Sequence, residues 1–405
     1  MIQLNTHYAE LKDAYLFAGI AKKTQSYLET HPGQKLYRMG IGDVSQPLCP
    51  AVIEALHGAV EEQAHAATFH GYQPECGAPF FREAVAAHYA ARGVSLSPEE
   101  VFVSSGASDE LGDILDLFSP ETPAMVLEPA YPAYLDASVI AGRRILHVPA
   151  SAENGFLPSP PETGEAGLIY LCSPNNPTGA VFGREALQSW VNYANKTGSV
   201  ILFDAAYEAY IEDPALPHSI FELDGATACA VEICSLSKTA GFTGTRLGYT
   251  VLPKTLTRQG MSLNAMWTRN RTTKTNGVSY LLQKGGAAVF TPEGQQQIKE
   301  QIALYKRNAR TLTQALDACG VWYTGGNNAP YIWLKCPGGM DSWTFFSYLL
   351  NEIQVVGTPG EGFGRCGEGF FRFSTFAGPE DTAEAARRLI RLFGGEGNEQ
   401  SDIKK

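Results

Sequence analysis

Short, nearly uninterrupted apolar runs recur along the first two-thirds of this chain, at 101–104, 124–128, 145–148, 168–172, 200–203 and 230–234, with helical patterns between most of them. Runs of that length without strict polar alternation suit strands covered on both faces. Strands of this kind alternating with helices predict a doubly wound, mostly parallel sheet. Residues 51–64 carry apolar positions at helical spacing, and 185–197 read as a connecting helix closed by Gly198. Past about residue 285 the texture changes. A long polar helix pattern over 292–319 leads to strands near 330–335 and 370–374 and a closing helix over 380–393. The expected organisation is α/β: an N-terminal arm (1–45) joining a smaller α/β domain (286–393), a large domain (46–285), and a tail (394–405) too poor in apolar residues to order.

The ends of these runs carry the chemistry, as α/β sheets build their sites at strand ends. The run 230–234 enters Ser-Leu-Ser-Lys-Thr-Ala-Gly-Phe-Thr-Gly-Thr-Arg-Leu-Gly at 235–248, which puts Lys238 just past a strand end, among hydroxyls. Ser235, Ser237 and Arg246 can hold a phosphate dianion, while Gly241 and Gly244 let the loop turn back. That set suits a lysine holding pyridoxal phosphate; a surface lysine in a polar loop is the plainer alternative. The run 200–203 enters Asp204, with Tyr207 three residues on. A buried aspartate beside the cofactor's ring nitrogen would keep that nitrogen protonated, and Tyr207 could donate to the ring phenolate. Asp204 could equally cap a helix. After 168–172 comes Ser-Pro-Asn-Asn-Pro-Thr-Gly at 173–179, a rigid turn able to present the Asn176 amide to the phenolate oxygen. After 101–104 a small-residue turn opens a helical pattern whose first N–H groups suit a phosphate.

Taken in order, the small-residue turn, Tyr131, Asn-Pro-Thr-Gly, Asp-x-x-Tyr and Ser-x-Ser-Lys with its downstream arginine resemble the aminotransferases of pyridoxal-phosphate fold type I. Six longer stretches narrow the match: 40–48, 71–77, 172–179, 238–248, 328–333 and 368–374 resemble the L,L-diaminopimelate aminotransferase family, and the likeness runs from about Tyr8 to Phe393. The resemblance implies a fold type I transferase bound to pyridoxal 5'-phosphate. Lys238 would be the Schiff-base lysine and general base, Asp204 the ring-nitrogen partner, and Asn176 and Tyr207 the phenolate donors. Tyr131 would stack on the ring. Ser235, Ser237 and Arg246, with the backbone of Ala107 and Ser108, would bind the phosphate, and Tyr72 would reach it from the neighbouring subunit of a homodimer. Tyr15, Gly42, Tyr131, Asn176, Asn276 and Arg372 would contact substrate, Asn276 touching the cofactor as well. Glu75 of the partner subunit would receive the distal ammonium of diaminopimelate. The implied reaction is reversible transamination between glutamate and the keto form of tetrahydrodipicolinate, feeding lysine and peptidoglycan synthesis. A fold type I aminotransferase or C–S lyase of other specificity would keep nearly the same cofactor residues.

One position departs from the family. Where the pattern usually reads Ser-Asp-Gly-Ala-Lys, this chain reads Ser104-Ser-Gly-Ala-Ser108, so a lysine expected beside the phosphate turn is missing. Gln73, where glycine is usual, is a smaller change in the neighbouring loop. Charge excludes some partners. With 31 basic against 42 acidic residues, net −11, neither nucleic acid nor an anionic membrane is expected, and no apolar stretch approaches the length of a membrane span. The eight cysteines form no C-x-x-C pair and the eight histidines no metal spacing, which reads as reduced thiols, no metal site and a cytoplasmic location.

Overall fold

The computed structural model describes residues 2–11, 16–40 and 42–394; Tyr15 and residues 395–405 of the expected disordered tail lie outside them. A seven-stranded sheet forms the centre, in spatial order Val101–Ser104, Gly248–Val251, Ala230–Ser235, Val200–Asp204, Leu168–Cys172, Ala124–Glu128 and Ile145–Pro149. Every residue of Leu168–Cys172, Val200–Asp204 and Ala230–Ser235 is buried, the condition that allows apolar runs without alternation. Winding reverses beside Ala124–Glu128, flanked on one side by the next strand in sequence and on the other by Leu168–Cys172. A crevice opens at such a reversal, outside the carboxyl ends of the strands.

Within this sheet the sequence reading missed one strand; elsewhere it also did not anticipate the short strands Tyr37–Arg38, Thr257–Arg258, Met261–Ser262, Tyr323–Gly325, Val355–Val356 and Thr358–Pro359. Gly248–Val251 runs antiparallel to both neighbours, so the sheet is mixed, with the other pairings parallel. It is only four residues long and follows the glycine-rich loop without a break, which hid it as part of that loop. Gly248 is required there: a Cβ would come within 2.6 Å of the Cys234 carbonyl oxygen and 3.0 Å of the Gly106 Cα. The anticipated strands and helices fall within a residue or two of their expected places, including Pro50–Gln63, Arg184–Thr197, Pro292–Ala318, Tyr331–Lys335, Phe370–Ser374 and Pro379–Phe393.

A second, four-stranded antiparallel sheet runs Tyr323–Gly325, Tyr331–Lys335, Phe370–Ser374, Thr358–Pro359. Helices Ser342–Ile353 and Pro379–Phe393 pack against it through Phe345, Phe346, Leu349, Ala385 and Leu389, making an apolar core separate from that of the large sheet. Part of the N-terminal segment belongs to this second core: Tyr27 and Met39 are buried in it, and Tyr37–Arg38 pairs in parallel with Val355–Val356, whereas Asn5 donates to the Ile140 carbonyl of the large domain at 2.9 Å. Residue 285 falls inside the helix Tyr280–Ala288, packed on the first core, where a Cβ at Gly285 would meet Leu56 and one at Gly286 would meet Leu247 and Phe81. The 27-residue helix Pro292–Ala318 joins the cores, with Ile298, Ile302 and Tyr305 in the first and Leu312 and Leu316 in the second. Among the described residues, no helix is long and apolar enough to cross a membrane.

Candidate active site

Chain ends leaving the carboxyl edge of the large sheet converge on one cavity of about 440 Å³, closed on the far side by the small domain and the N-terminal segment. From the sheet come Asn176, Asp204, Tyr207, Ser235, Ser237, Lys238 and Arg246; Tyr131, Ala107 and Ser108 stand at or beside helix starts; Gly42, Tyr331 and Arg372 come from the other side.

Lys238 rides on the short helix Leu236–Ala240, capped at its start by the Ser235 side chain, which accepts from the Ser237 N–H at 3.1 Å, and ended by Gly241 at φ 81°. Burial pushes the Lys238 amine down to about 8; Arg246 and Arg372 push the same way, against the Asp43 carboxylate. Behind it the loop returns to place Arg246, itself left-handed at φ 64° and held by its N–H to the Phe242 carbonyl at 3.0 Å. The Arg246 guanidinium donates to Ser237 Oγ at 3.0 Å and to the Thr243 carbonyl at 3.2 Å. Gly106, at φ 131°, precedes Ala107, and a Cβ there would collide with that guanidinium. The result is a cradle of arginine, two hydroxyls and backbone N–H groups, with the donor chemistry a phosphate dianion requires.

Across the cavity, Asp204 ends its strand almost wholly buried. Its oxygens accept from Tyr134 Oη at 2.5 Å and from the Ala206 N–H at 3.0 Å. Burial raises its pKa, with those two bonds opposing. Both partners are neutral, so among the described residues this carboxylate has no cationic partner. Tyr134 is a positioning residue that the sequence reading missed. It lies three residues after Tyr131 on the helix Pro132–Ile140, stacks on Tyr170 (centroids 5.0 Å apart) and meets the Tyr131 ring edge-on at 5.7 Å. The spacing of two tyrosines three apart at a helix start was the available signal.

Arg372 is fully buried, its guanidinium packed 4.4 Å from the Tyr331 ring centroid and 4.9 Å from that of Phe363. It donates to the Asn176 side-chain oxygen at 2.6 Å and to the Gly40 carbonyl at 2.8 Å. An arginine only donates, so the atom it touches on Asn176 must be oxygen; the amide nitrogen is left as a donor. Tyr207 and Tyr331 share a bond of 3.0 Å between their hydroxyls, and burial keeps the Tyr207 phenol protonated. Tyr331 and Gly40 were not singled out from sequence as site residues, although both lie inside stretches that carried the resemblance. Ser108, in place of the expected lysine, stands 3.4 Å from the Tyr131 hydroxyl.

Three anticipated residues are not brought to this cavity by their own chain. Tyr72 is 88% exposed, and with Gln73 and Asn276 it lines a shallow depression on the outer surface. Glu75 is half-buried in the same loop and does not line the cavity. Asn276, expected beside the cofactor without a subunit being specified, stands with Tyr72, because Gly277 packs its backbone tightly against Gln73 and Pro74.

The family model described as aminotransferase class I and II matches residues 34–390. The chain belongs to that family. Its relatives include the LL-diaminopimelate aminotransferases of Agathobacter rectalis, 49% identical over 97% of this chain and 100% of the relative, and of Parabacteroides distasonis, 48% identical over 96% and 99%. Among solved structures, the L,L-diaminopimelate aminotransferase from Chlamydomonas reinhardtii superposes with a TM-score of 0.92 at 37% identity, covering 97% of this chain and 99% of that one. The fold type I architecture of this aminotransferase follows from the same likeness. Its cavity fits the cofactor of the family on its own chemistry: a depressed lysine amine, a buried carboxylate without a cation, and a phosphate cradle.

Proposed function

We propose that this aminotransferase interconverts L,L-diaminopimelate plus 2-oxoglutarate with tetrahydrodipicolinate plus L-glutamate, on pyridoxal 5'-phosphate, as a cytoplasmic homodimer. What supports the substrate most is identity of 49% over the whole length of an enzyme of that name. Eight free cysteines suit a reducing compartment.

Pyridoxal phosphate, when bound, supplies the electron sink for the bonds broken at the substrate's α-carbon. The protein does the rest. Lys238 would tether the cofactor, and its freed amine would be the base that takes the proton from the substrate α-carbon. An amine pushed down to about 8 is partly neutral near physiological pH, as a proton carrier must be. Asp204, held by Tyr134, would keep the ring nitrogen protonated; Asn176 and Tyr207 would donate to the ring oxygen, and Tyr131 would stack on the ring. Ser235, Ser237, Arg246 and the backbone at Ala107 and Ser108 would hold the phosphate. Arg372 and the Gly42 backbone receive the carboxylate of the reacting carbon. Tyr72, Glu75 and Asn276 would complete the neighbour's site across the dimer, with Glu75 on the distal ammonium, and Tyr15 would contact substrate. In the same reading residues 1–45 are an arm joining the small domain 286–393, and 46–285 form the large domain.

Incubating the purified protein with L,L-diaminopimelate and 2-oxoglutarate should release tetrahydrodipicolinate, and the meso isomer should react far more slowly. Turnover of aromatic or short acidic amino acids with none of diaminopimelate would overturn the substrate while leaving the cofactor chemistry standing.

A further inference from the structure

Four cations line the active-site cavity: Arg38, Lys238, Arg246 and Arg372. The only acid among the lining residues is Asp204. Lys238 sits at the reacting carbon, Arg246 is bonded into the phosphate cradle, and Arg372 is locked on Asn176 and Gly40. Arg38 has no such engagement: it is exposed at the cavity mouth and makes no ion pair or side-chain hydrogen bond among the described residues. A substrate with a carboxylate at each end needs two cationic receivers, and the lysine that the family places at 108 is a serine here.

We propose that Arg38 receives the distal carboxylate of the substrate. The backbone supports this placement. Arg38 ends the short strand Tyr37–Arg38, and Met39 continues the pairing by donating to the Val356 carbonyl at 2.7 Å. Two residues further on, the Gly40 carbonyl anchors Arg372. Both guanidinium groups thus belong to one cavity, Arg372 buried in it and Arg38 exposed at its edge. Phe17, Ile20 and Ala21, spaced as one face of the helix Leu16–Thr30, line the same cavity with Val356 and Gly357. That collar offers methylenes an apolar path and leaves the end charge to Arg38. The inference rests on the diaminopimelate reading for its substrate, but its test does not.

The probes are pimelate, a seven-carbon diacid without amines, and heptanoate, the same chain with one carboxylate, titrated calorimetrically into the cofactor-loaded protein. The unmodified protein should bind pimelate more tightly than heptanoate. Arg38→Gln should weaken pimelate roughly 10- to 150-fold, as expected for a lost charge-assisted bond, with heptanoate changed by less than about twofold. Arg38→Lys should recover part of the loss, since it restores a cation without the fork. Equal weakening of both acids, or no preference for pimelate in the unmodified protein, would overturn the assignment. If pimelate is discriminated through Arg38 yet diaminopimelate is not turned over, the diacid subsite stands and the substrate reading falls.

Discussion

The floor of the cavity and its outer rim are built in opposite ways. Floor residues sit at the ends of strands buried on both faces, and each is held by a second group: Asp204 by Tyr134, Asn176 by Arg372, Arg246 by Ser237. Tyr72, Gln73 and Asn276, which the proposed dimer would bring to the rim of a neighbour's cavity, stand on surface loops, Tyr72 almost fully exposed. Reaction chemistry tolerates little misplacement, so it belongs on rigid elements, whereas substrate choice can be set by loops borrowed from a second subunit. The contrast teaches where to expect loss of reaction and where to expect loss of selectivity.

The sharpest way to break the comparison is at Lys238. Lys238→Ala should abolish multiple-turnover transamination while circular dichroism and thermal unfolding still report a folded protein; sustained turnover would show that the floor is not the reacting centre. Asp204→Asn should slow proton abstraction by at least roughly 100-fold, because an amide cannot hold the ring proton as a carboxylate does. An unchanged single-turnover rate would mean that another group faces the ring nitrogen.

At the rim the expected effect is smaller and selective. Glu75→Gln should lower kcat/KM for diaminopimelate roughly 10- to 150-fold, the value of one charge-assisted hydrogen bond, and barely alter the glutamate half-reaction. Mixing this variant with Lys238→Ala should restore diaminopimelate turnover in hybrid dimers, where one site combines an intact lysine with an intact partner glutamate. No recovery would place Glu75 in its own chain's site.

The smallest expected effect joins the two regions' logic. The Tyr134 hydroxyl donates to Asp204 and lowers its pKa against the rise caused by burial. In Tyr134→Phe the Asp204 pKa should therefore rise. The carboxylate then protonates at higher pH as the solution is acidified, so the acid limb of cofactor affinity should move to higher pH, read from the bound cofactor's absorbance. An unmoved limb would reduce Tyr134 to packing.

Legibility followed the same division. Asp204, Asn176 and Lys238 could be placed because each follows an apolar run that local pattern alone identifies as a buried strand. Tyr134 and Arg38 could not, since one acts through a contact 70 residues away and the other gains meaning only when residues 17–21, 38 and 356–357 meet. The strand Gly248–Val251 escaped because its demand is steric, a Cβ-free approach to Cys234 and Gly106, which leaves no periodic trace. The subunit that Asn276 serves is likewise a matter of loop packing against Gln73, not of local pattern.

The helix Pro292–Ala318 has a consequence for how the molecule comes apart. At 27 residues it is about 40 Å of continuous rod, rooted in one core by Ile298 and Ile302 and in the other by Leu312 and Leu316. Melting either core strips half of the rod's apolar face and leaves an isolated amphipathic segment that water does not sustain. Each core therefore loses support when the other goes. Heating should produce one calorimetric transition for both, and amides between Tyr305 and Leu312 should exchange with deuterium only through that common opening.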